Sequence, residues 1–253
     1  MNRINRQSDR TAGRKSLASQ RALHPREAFV NPGSPKTPVR IGLLGGTFDP
    51  VHYGHLAMAE SAIHRFKLQT VYFVTAVNPP HKSRVTHASF FDRHAMVALA
   101  LVRKPKMVAS TLEYGRPGKS YSIDTVRQLW RTVGDRSEIF FLIGMDAFLE
   151  LPTWKDYRRL IDYCSFVVYS RPGCEGPSDG TRLPRFLLER VCQVPKGTSV
   201  ATHPEHGIYL IGDFSSHVSS TEIRGRVQRG GSLQKLVPEA VSEYIRKARL
   251  YLS

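Results

Sequence analysis

A short apolar run, Val39-Arg40-Ile41-Gly42-Leu43-Leu44, breaks on a glycine pair and is followed within a few residues by a helix-forming segment. The run reads as a buried first strand, and Leu56-Ala57-Met58-Ala59-Glu60-Ser61-Ala62-Ile63 reads as a helix. Between them lies Gly45-Gly46-Thr47-Phe48-Asp49-Pro50-Val51-His52-Tyr53-Gly54-His55. Glycine lets backbone N–H groups approach phosphate closely, and a helix N-terminus adds positive potential. His52 and His55, with Gly54 between them, sit where the helix begins and can donate hydrogen bonds to non-bridging oxygens. A glycine pair alone is often a tight turn, and two nearby histidines alone are often surface residues. In a strand–turn–helix context they point together to polyphosphate. The stretch has no cysteine and no carboxylate pair, so thiol or hydrolytic chemistry is not suggested. It is neither the G-x-G-x-x-G of dinucleotide-binding folds nor the P-loop pattern.

Downstream the pattern alternates. Val71–Ala76, Met107–Ser110, Glu138–Gly144, Phe166–Tyr169 and Ile208–Ile211 read as strands. Phe91–Val102, Ser122–Val133, Tyr157–Tyr163, Pro184–Cys192, a segment opening at Ser219, and Pro238–Leu250 read as helices. Strands alternating with helices imply an α/β fold, a Rossmann-like doubly wound parallel sheet forming a single domain. That domain is expected to span 39–253, with residues 1–38 a disordered basic tail that is rich in Ser, Arg and Pro and lacks apolar periodicity. The tail has no apolar stretch of the secretory kind; an Arg-rich transit peptide, a start codon placed too early and an ordinary flexible tail stay open.

With 253 residues and 41% hydrophobic content, the chain can bury a sizeable core. No run approaches the length of a membrane span, so no membrane partner is expected. Cys164, Cys174 and Cys192 are odd in number and lack zinc-ligand spacing, which suits free thiols in a reducing, cytoplasmic compartment. The formal charge of +16 admits nucleic acid or anionic small substrates. No helix-turn-helix, zinc-finger or RNP-type pattern occurs, so nucleic acid is the lesser reading.

A second phosphate element is Ser219-Ser220-Thr221-Glu222-Ile223-Arg224. Consecutive hydroxyls at a helix start can be a plain N-cap. Free N–H groups, hydroxyls and an Arg one turn later can also hold phosphates. Elsewhere the readings stay paired. Trp154 is a ring-stacking residue or a core tryptophan, and Asp146, after a buried strand, is a ribose acceptor or a helix cap. Lys82 and Arg171 are phosphate partners or solvated charges, while Ser122 and Asp124 are ligands or caps.

The chain resembles the H-x-G-H nucleotidyltransferase superfamily, and within it is similar to the bacterial nicotinate-nucleotide adenylyltransferase family. The resemblance runs from about Val39 to Leu252. It rests on Gly45 to His55; Asn78-Pro79-Pro80-His81-Lys82; Glu113-Tyr114-Gly115-Arg116 with Ser120-Tyr121-Ser122-Ile123-Asp124-Thr125; Gly144-Met145-Asp146; Leu151-Pro152-Thr153-Trp154; Ser170-Arg171-Pro172-Gly173; and Val218 to Arg224. The first and last are superfamily-wide, and pantetheine-phosphate adenylyltransferases share a similar opening. Ser122 stands where family members often have Thr, and Lys155 where they often have an aromatic residue.

The resemblance implies transfer of AMP from ATP to nicotinate mononucleotide, giving deamido-NAD and pyrophosphate. His52, His55 and Arg224 would be catalytic. Gly45, Gly46, Thr47, Phe48, Lys82, Ser122, Asp124, Gly144, Asp146, Trp154, Arg171, Ser219, Ser220 and Thr221 would bind substrate. Mg²⁺ would arrive on the ATP phosphates with no protein metal site, and a homo-oligomer is possible. Nicotinamide mononucleotide or phosphopantetheine as acceptor, or a basic nucleic-acid-binding protein on the same fold, are the competing readings. Because the first strand begins at Val39, a protein starting near Thr37 should keep its melting temperature and kcat. Failure of that shortened protein to fold would show that the tail packs onto the domain.

Overall fold

The computed structural model describes residues 38–79, 86–134, 136–170, 183–200, 206–214 and 216–252. Its strands are β1 (Val39–Gly46), β2 (Thr70–Thr75), β3 (Met107–Ser110), β4 (Ser137–Gly144), β5 (Ser165–Tyr169), β6 (Val191–Val194) and β7 (Ile208–Ile211). Its helices are α1 (Tyr53–Phe66), α2 (Phe90–Leu101), α3 (Ser122–Val133), α4 (Met145–Leu149), α5 (Tyr157–Ile161), α6 (Arg185–Leu188), α7 (Ser220–Gln228) and α8 (Glu239–Lys247), with a 3-10 turn at Leu151–Thr153.

The seven strands run in the order β3-β2-β1-β4-β5-β7-β6. Every pairing is parallel. A parallel sheet is covered on both faces, so its central strands read as unbroken apolar runs. In β1 the residues alternate between two cores. Leu44 packs with α1, α2 and α8, whereas Ile41 and Leu43 pack with α3 and α5. The same alternation divides β4, with Phe140 and Leu142 on the first face and Ile139, Phe141 and Ile143 on the second.

From β1 the chain winds outward through β2 to β3, then returns to pair β4 against the opposite edge of β1. Beyond the C-terminal ends of β1 and β4 the two windings part. That switch point is where open α/β sheets hold ligands. Gly46 ends β1 and Gly144 ends β4, so both strands stop at the crevice on a residue without a side chain.

Beyond shifts of a few residues at element ends, three differences from the sequence reading stand out. The segment Pro184–Cys192 was expected as one helix; instead α6 stops at Leu188 and Val191–Val194 pairs with β7 as an edge strand, Val191 beside Ile208 and Val194 beside Ile211. Backbone pairing to a buried neighbour outweighs local propensity there. α1 begins at Tyr53, so His55 already lies in its first turn. A short α4 follows β4 directly and carries Asp146 in its first turn. Among the described residues no helix is long and apolar enough to cross a membrane.

Candidate active site

The loop from Thr47 to His52 is set by contacts that its own sequence does not contain. Phe48 adopts a left-handed backbone, φ 50°. That conformation costs a non-glycine residue about 1 kcal/mol or more. Burial of its ring compensates, for Phe48 is 2% exposed. The ring lies edge-on to His55 at 5.0 Å and tilted against Phe73 at 5.7 Å. A Cβ on Gly46 would stand 3.1 Å from two carbons of that ring, so glycine there leaves the ring its place. Phe48 therefore supports His55 from below.

His52 is the N-cap residue of α1 and His55 its third helical position. Their rings stack at 3.8 Å, 29° from parallel. The His52 backbone N–H donates to His55 Nδ1 at 3.3 Å. An accepting Nδ1 leaves the proton on Nε2, so His55 presents an Nε2–H donor. In His52 the buried Nδ1 atom faces the N–H groups that head α1, in a capping-box arrangement with His55 but short of a close hydrogen bond. Protonation there would bury an unsatisfied N–H, so Nε2 carries the proton in this ring too. His52 is 8% exposed, and burial lowers its pKa from 6.5 to about 4. At neutral pH it is an uncharged hydrogen-bond donor. Beside the His52 ring, a Cβ on Gly54 would lie 2.6 Å from Ser216 Oγ and 2.9 Å from His52 Nδ1. The glycine is required by this close approach, not by an unusual φ.

α7 faces this pair. Ser219 caps it, its Oγ accepting from Glu222 N at 3.2 Å. Ser220 Oγ donates to Pro50 O at 3.0 Å, which ties the head of α7 to the histidine loop. Arg224 Nη1 donates to Asp49 O at 2.8 Å, and Nη2 reaches the exposed Thr221 Oγ1 at 3.3 Å. The capping reading of these hydroxyls thus holds for Ser219. A cavity of about 230 Å³ opens between the two helix heads, lined by His52, His55, Gly144, Asp146, Ser219 and Ser220 among others. Tyr169 forms part of its wall and donates its hydroxyl to Met58 O at 2.8 Å, fixing α1 to the end of β5.

The remaining expected residues come from the other face of the sheet. Ser122 and Asp124 open α3, but its N-cap is Tyr121 and no side-chain cap bond forms. Asp124 instead pairs with Lys155 at 3.2 Å, and the Lys155 ammonium sits 4.6 Å above the Tyr121 ring. Trp154 is half-buried, packed edge-on to Phe141 of β4 at 6.0 Å. It is thus partly a core residue. Two of the motif segments meet beside them: Thr125 Oγ1 donates to the buried Glu113 carboxylate and accepts from Arg116 Nη2 at 2.9 Å. Gly45 is exposed and Thr47 half-buried at the end of β1. Lys82, Arg171 and residues 1–37 lie outside the described residues.

Arg93, Asp49 and Tyr251 were not singled out from sequence. Arg93 is 1% exposed and its Nη1 donates to Thr47 O at 2.7 Å and Ala76 O at 2.8 Å. A charge three residues ahead of Met96, on the apolar stripe of α2, was the available signal. Tyr251 gave none, because its contacts are remote in the chain.

Two neutral imidazole donors, a helix N-terminus and an anchored guanidinium at the switch point of a parallel sheet define a nucleotide-handling α/β protein. A family model described as cytidylyltransferase-like matches residues 43–226, and the chain belongs to that family. A relative from Geobacter sulfurreducens named "Probable nicotinate-nucleotide adenylyltransferase" is 40% identical over 214 residues, covering 84% of this chain and 98% of its own. One of the same name from Moorella thermoacetica is 40% identical over 216 residues, covering 85% and 92%. Among solved structures, the Plasmodium falciparum nicotinic acid mononucleotide adenylyltransferase complexed with NaAD aligns with TM-score 0.62 at 18% identity, covering 84% of this chain and 97% of that one. That likeness is one of fold.

Two outcomes follow from the histidine geometry. Gly54→Ala should push the His52 ring aside and cut kcat roughly ten- to hundredfold, the usual cost of misplacing a reacting group by an ångström. Wild-type turnover in that variant would show that the ring's place is immaterial. The second concerns pH. The unfolded chain protonates His52 near pH 6.5, while the folded protein does so only near 4. Its contribution to stability is therefore present above 6.5 and is lost as pH falls through that window, by roughly 3 kcal/mol at the acid end. Chemical denaturation between pH 7 and 4 should show a shallower decline in His52→Asn than in wild type.

Proposed function

We infer that this protein is an adenylyltransferase that moves AMP from ATP to nicotinate mononucleotide, releasing pyrophosphate and giving deamido-NAD. The observation that carries the reading is the facing pair of helix heads. Two stacked histidines on one and Ser219 and Ser220 on the other line a cavity at the strand switch point, and Arg224 of the second helix is anchored to the Asp49 carbonyl of the histidine loop. The names of the relatives support the choice of acceptor.

The reaction needs no covalent enzyme intermediate. A 5′-phosphate oxygen of the mononucleotide attacks the α-phosphorus of ATP in line, and pyrophosphate leaves. Positioning and charge stabilisation do the catalysis. The Nε2–H groups of His52 and His55 donate to the oxygens on which negative charge grows. Arg224, the N–H groups heading α7, and the Ser219, Ser220 and Thr221 segment hold the departing pyrophosphate. Gly45, Gly46 and Thr47 let the triphosphate pass close to the end of β1. Asp146 and Gly144 take the ribose, and Trp154 with Ser122 and Asp124 borders the pyridine. Lys82 and Arg171 are the further cations of the proposed site. Mg²⁺ would be carried in on the ATP phosphates, where it would supply charge neutralisation. The residues at that end suit such a complex, since they are donors and a cation, and the nearby Asp49 carboxylate is already bound by Tyr251 and His87. The described free thiols, Cys164 and Cys192, fit a reducing cytoplasmic setting.

The test is turnover of ATP with nicotinate mononucleotide, nicotinamide mononucleotide and phosphopantetheine. A site built for a pyridine carboxylate leaves a donor facing a donor when offered the carboxamide, at about 1 to 3 kcal/mol per unpaired group. Nicotinate mononucleotide should therefore be preferred in kcat/KM by roughly five- to 150-fold. An equal or better value for nicotinamide mononucleotide overturns the acceptor. Salt-dependent binding of mixed-sequence DNA without turnover of any acceptor would instead support the nucleic-acid reading.

A further inference from the structure

Asp49 lies between the strained Phe48 and the N-cap His52, and it is 4% exposed. Both of its carboxylate oxygens are occupied. Oδ1 accepts from the Tyr251 hydroxyl at 2.8 Å, and Oδ2 accepts from His87 N at 2.8 Å. Its backbone carbonyl accepts from Arg224 Nη1 at 2.8 Å. One residue thus joins the end of the chain, the segment ahead of α2, and α7. A buried carboxylate is tolerated only when paired and hydrogen-bonded. Here the charge of the buried Arg93, itself held by the carbonyls of Thr47, Ala76 and Ala88, offsets it.

Tyr251 stands two residues from the C-terminus yet is 6% exposed. Its backbone is left-handed, φ 65°, and it follows α8 rather than belonging to it. Leu252, next in the chain, is 62% exposed. The chain therefore turns Tyr251 inward at a conformational cost and leaves its successor in solvent. A ring used only for packing would not need a hydroxyl aimed at a carboxylate. Hydrogen bonds of that kind, between a neutral donor and an ionised acceptor in a dry setting, are about twice as strong as neutral ones.

We propose that Tyr251 is a positioning residue for adenylyl transfer. Through the Asp49 carboxylate it fixes the Asp49 carbonyl, that carbonyl fixes the Arg224 guanidinium, and the end of the chain so becomes part of the phosphate-binding scaffold. The proposal rests on the reading of Arg224 as the pyrophosphate ligand given above. It assigns Tyr251 an effect on the ATP side of the reaction and none on the acceptor side.

The test is a double-mutant cycle in the full-length protein with wild type, Tyr251→Phe, Arg224→Ala and the double variant. Tyr251→Phe keeps the ring and removes only the hydroxyl. It should lower kcat/KM for ATP about tenfold and leave KM for nicotinate mononucleotide within twofold. In the Arg224→Ala background the same change should cost less than twofold, because coupled residues do not add. Asp49→Asn, which weakens the same link from its other end, should repeat the ATP-side signature if Tyr251→Phe folds poorly. Unchanged kcat/KM for ATP in Tyr251→Phe, equal losses on both substrates, or fully additive losses in the cycle would overturn the proposal while a working wild type leaves the function intact. A wild type that transfers no AMP overturns the function and this inference with it.

Discussion

Two imidazole rings held 3.8 Å apart at the head of α1 are the constraint to which the surrounding structure answers. The His52 ring can lie there only because Gly54, beside it, has no Cβ. His55 needs a surface to rest on, and Phe48 provides one by accepting a left-handed backbone that its buried ring offsets. The loop that carries Phe48 needs tethering from outside, because six residues without regular structure cannot satisfy their own carbonyls. Arg93 takes the carbonyl of Thr47, Arg224 that of Asp49 and Ser220 that of Pro50. Three of the loop's carbonyls are thus bonded by side chains from α2 and α7. The site's precision is borrowed from helices that are distant in sequence.

The two faces of the sheet contribute different halves. α1 and α7 cover the face carrying Leu44, Phe140 and Tyr169, and their heads make the cavity. α3, α5 and the turn at Leu151–Thr153 cover the face carrying Leu43 and Phe141, and they bring Ser122, Asp124 and Trp154. Phe141 joins the halves: its ring meets the indole of Trp154 on one side and stands 3.9 Å from where a Cβ of Gly45 would be. A reaction that unites a triphosphate with a pyridine mononucleotide needs both layers to end at one crevice. The parallel register of β1 with β4 ensures it. Lys155 alters the second half, since it takes the Asp124 carboxylate and covers the Tyr121 ring.

Much of this was legible in the chain because it is local. β1, the glycine turn and the helix after it follow from residue type and spacing, and the alternation of apolar strands with amphipathic helices implies the parallel sheet. What was not legible depends on partners far away. Val191–Val194 becomes a strand because β7 offers an edge, and the preceding Leu187 and Leu188 disguised it as helix. The hydroxyls of Ser219 and Ser220 were legible as a cap or as phosphate ligands; that Ser219 caps α7 while Ser220 bonds Pro50 depends on how α7 docks. Arg93 looks like an ordinary helical charge until α2 is laid on the sheet, when its position proves to be on the buried face. Tyr251 is separated from Asp49 by 202 positions, and no pattern in one chain spans that distance.

The division of charge within the site follows from burial. A protonated His52 would be a cation held almost without solvent, and burial lowers its pKa to about 4. The protein therefore holds this imidazole neutral near pH 7 and uses it as a directed dipole. The permanent charge is placed on Arg224, which is only half-buried and shares its guanidinium with a carbonyl and a hydroxyl. This arrangement suits transfer chemistry better than two imidazolium ions would. A cation present before substrate arrives binds ATP and transition state alike, and uniform binding does not lower the barrier. A neutral Nε2–H donor interacts more strongly as charge grows on the oxygens in transit, so its contribution is concentrated in the transition state. On the proposed reading, electrostatic capture and rate enhancement would be separate tasks on separate helices, with Arg224 on α7 suited to the first and the histidine pair on α1 to the second.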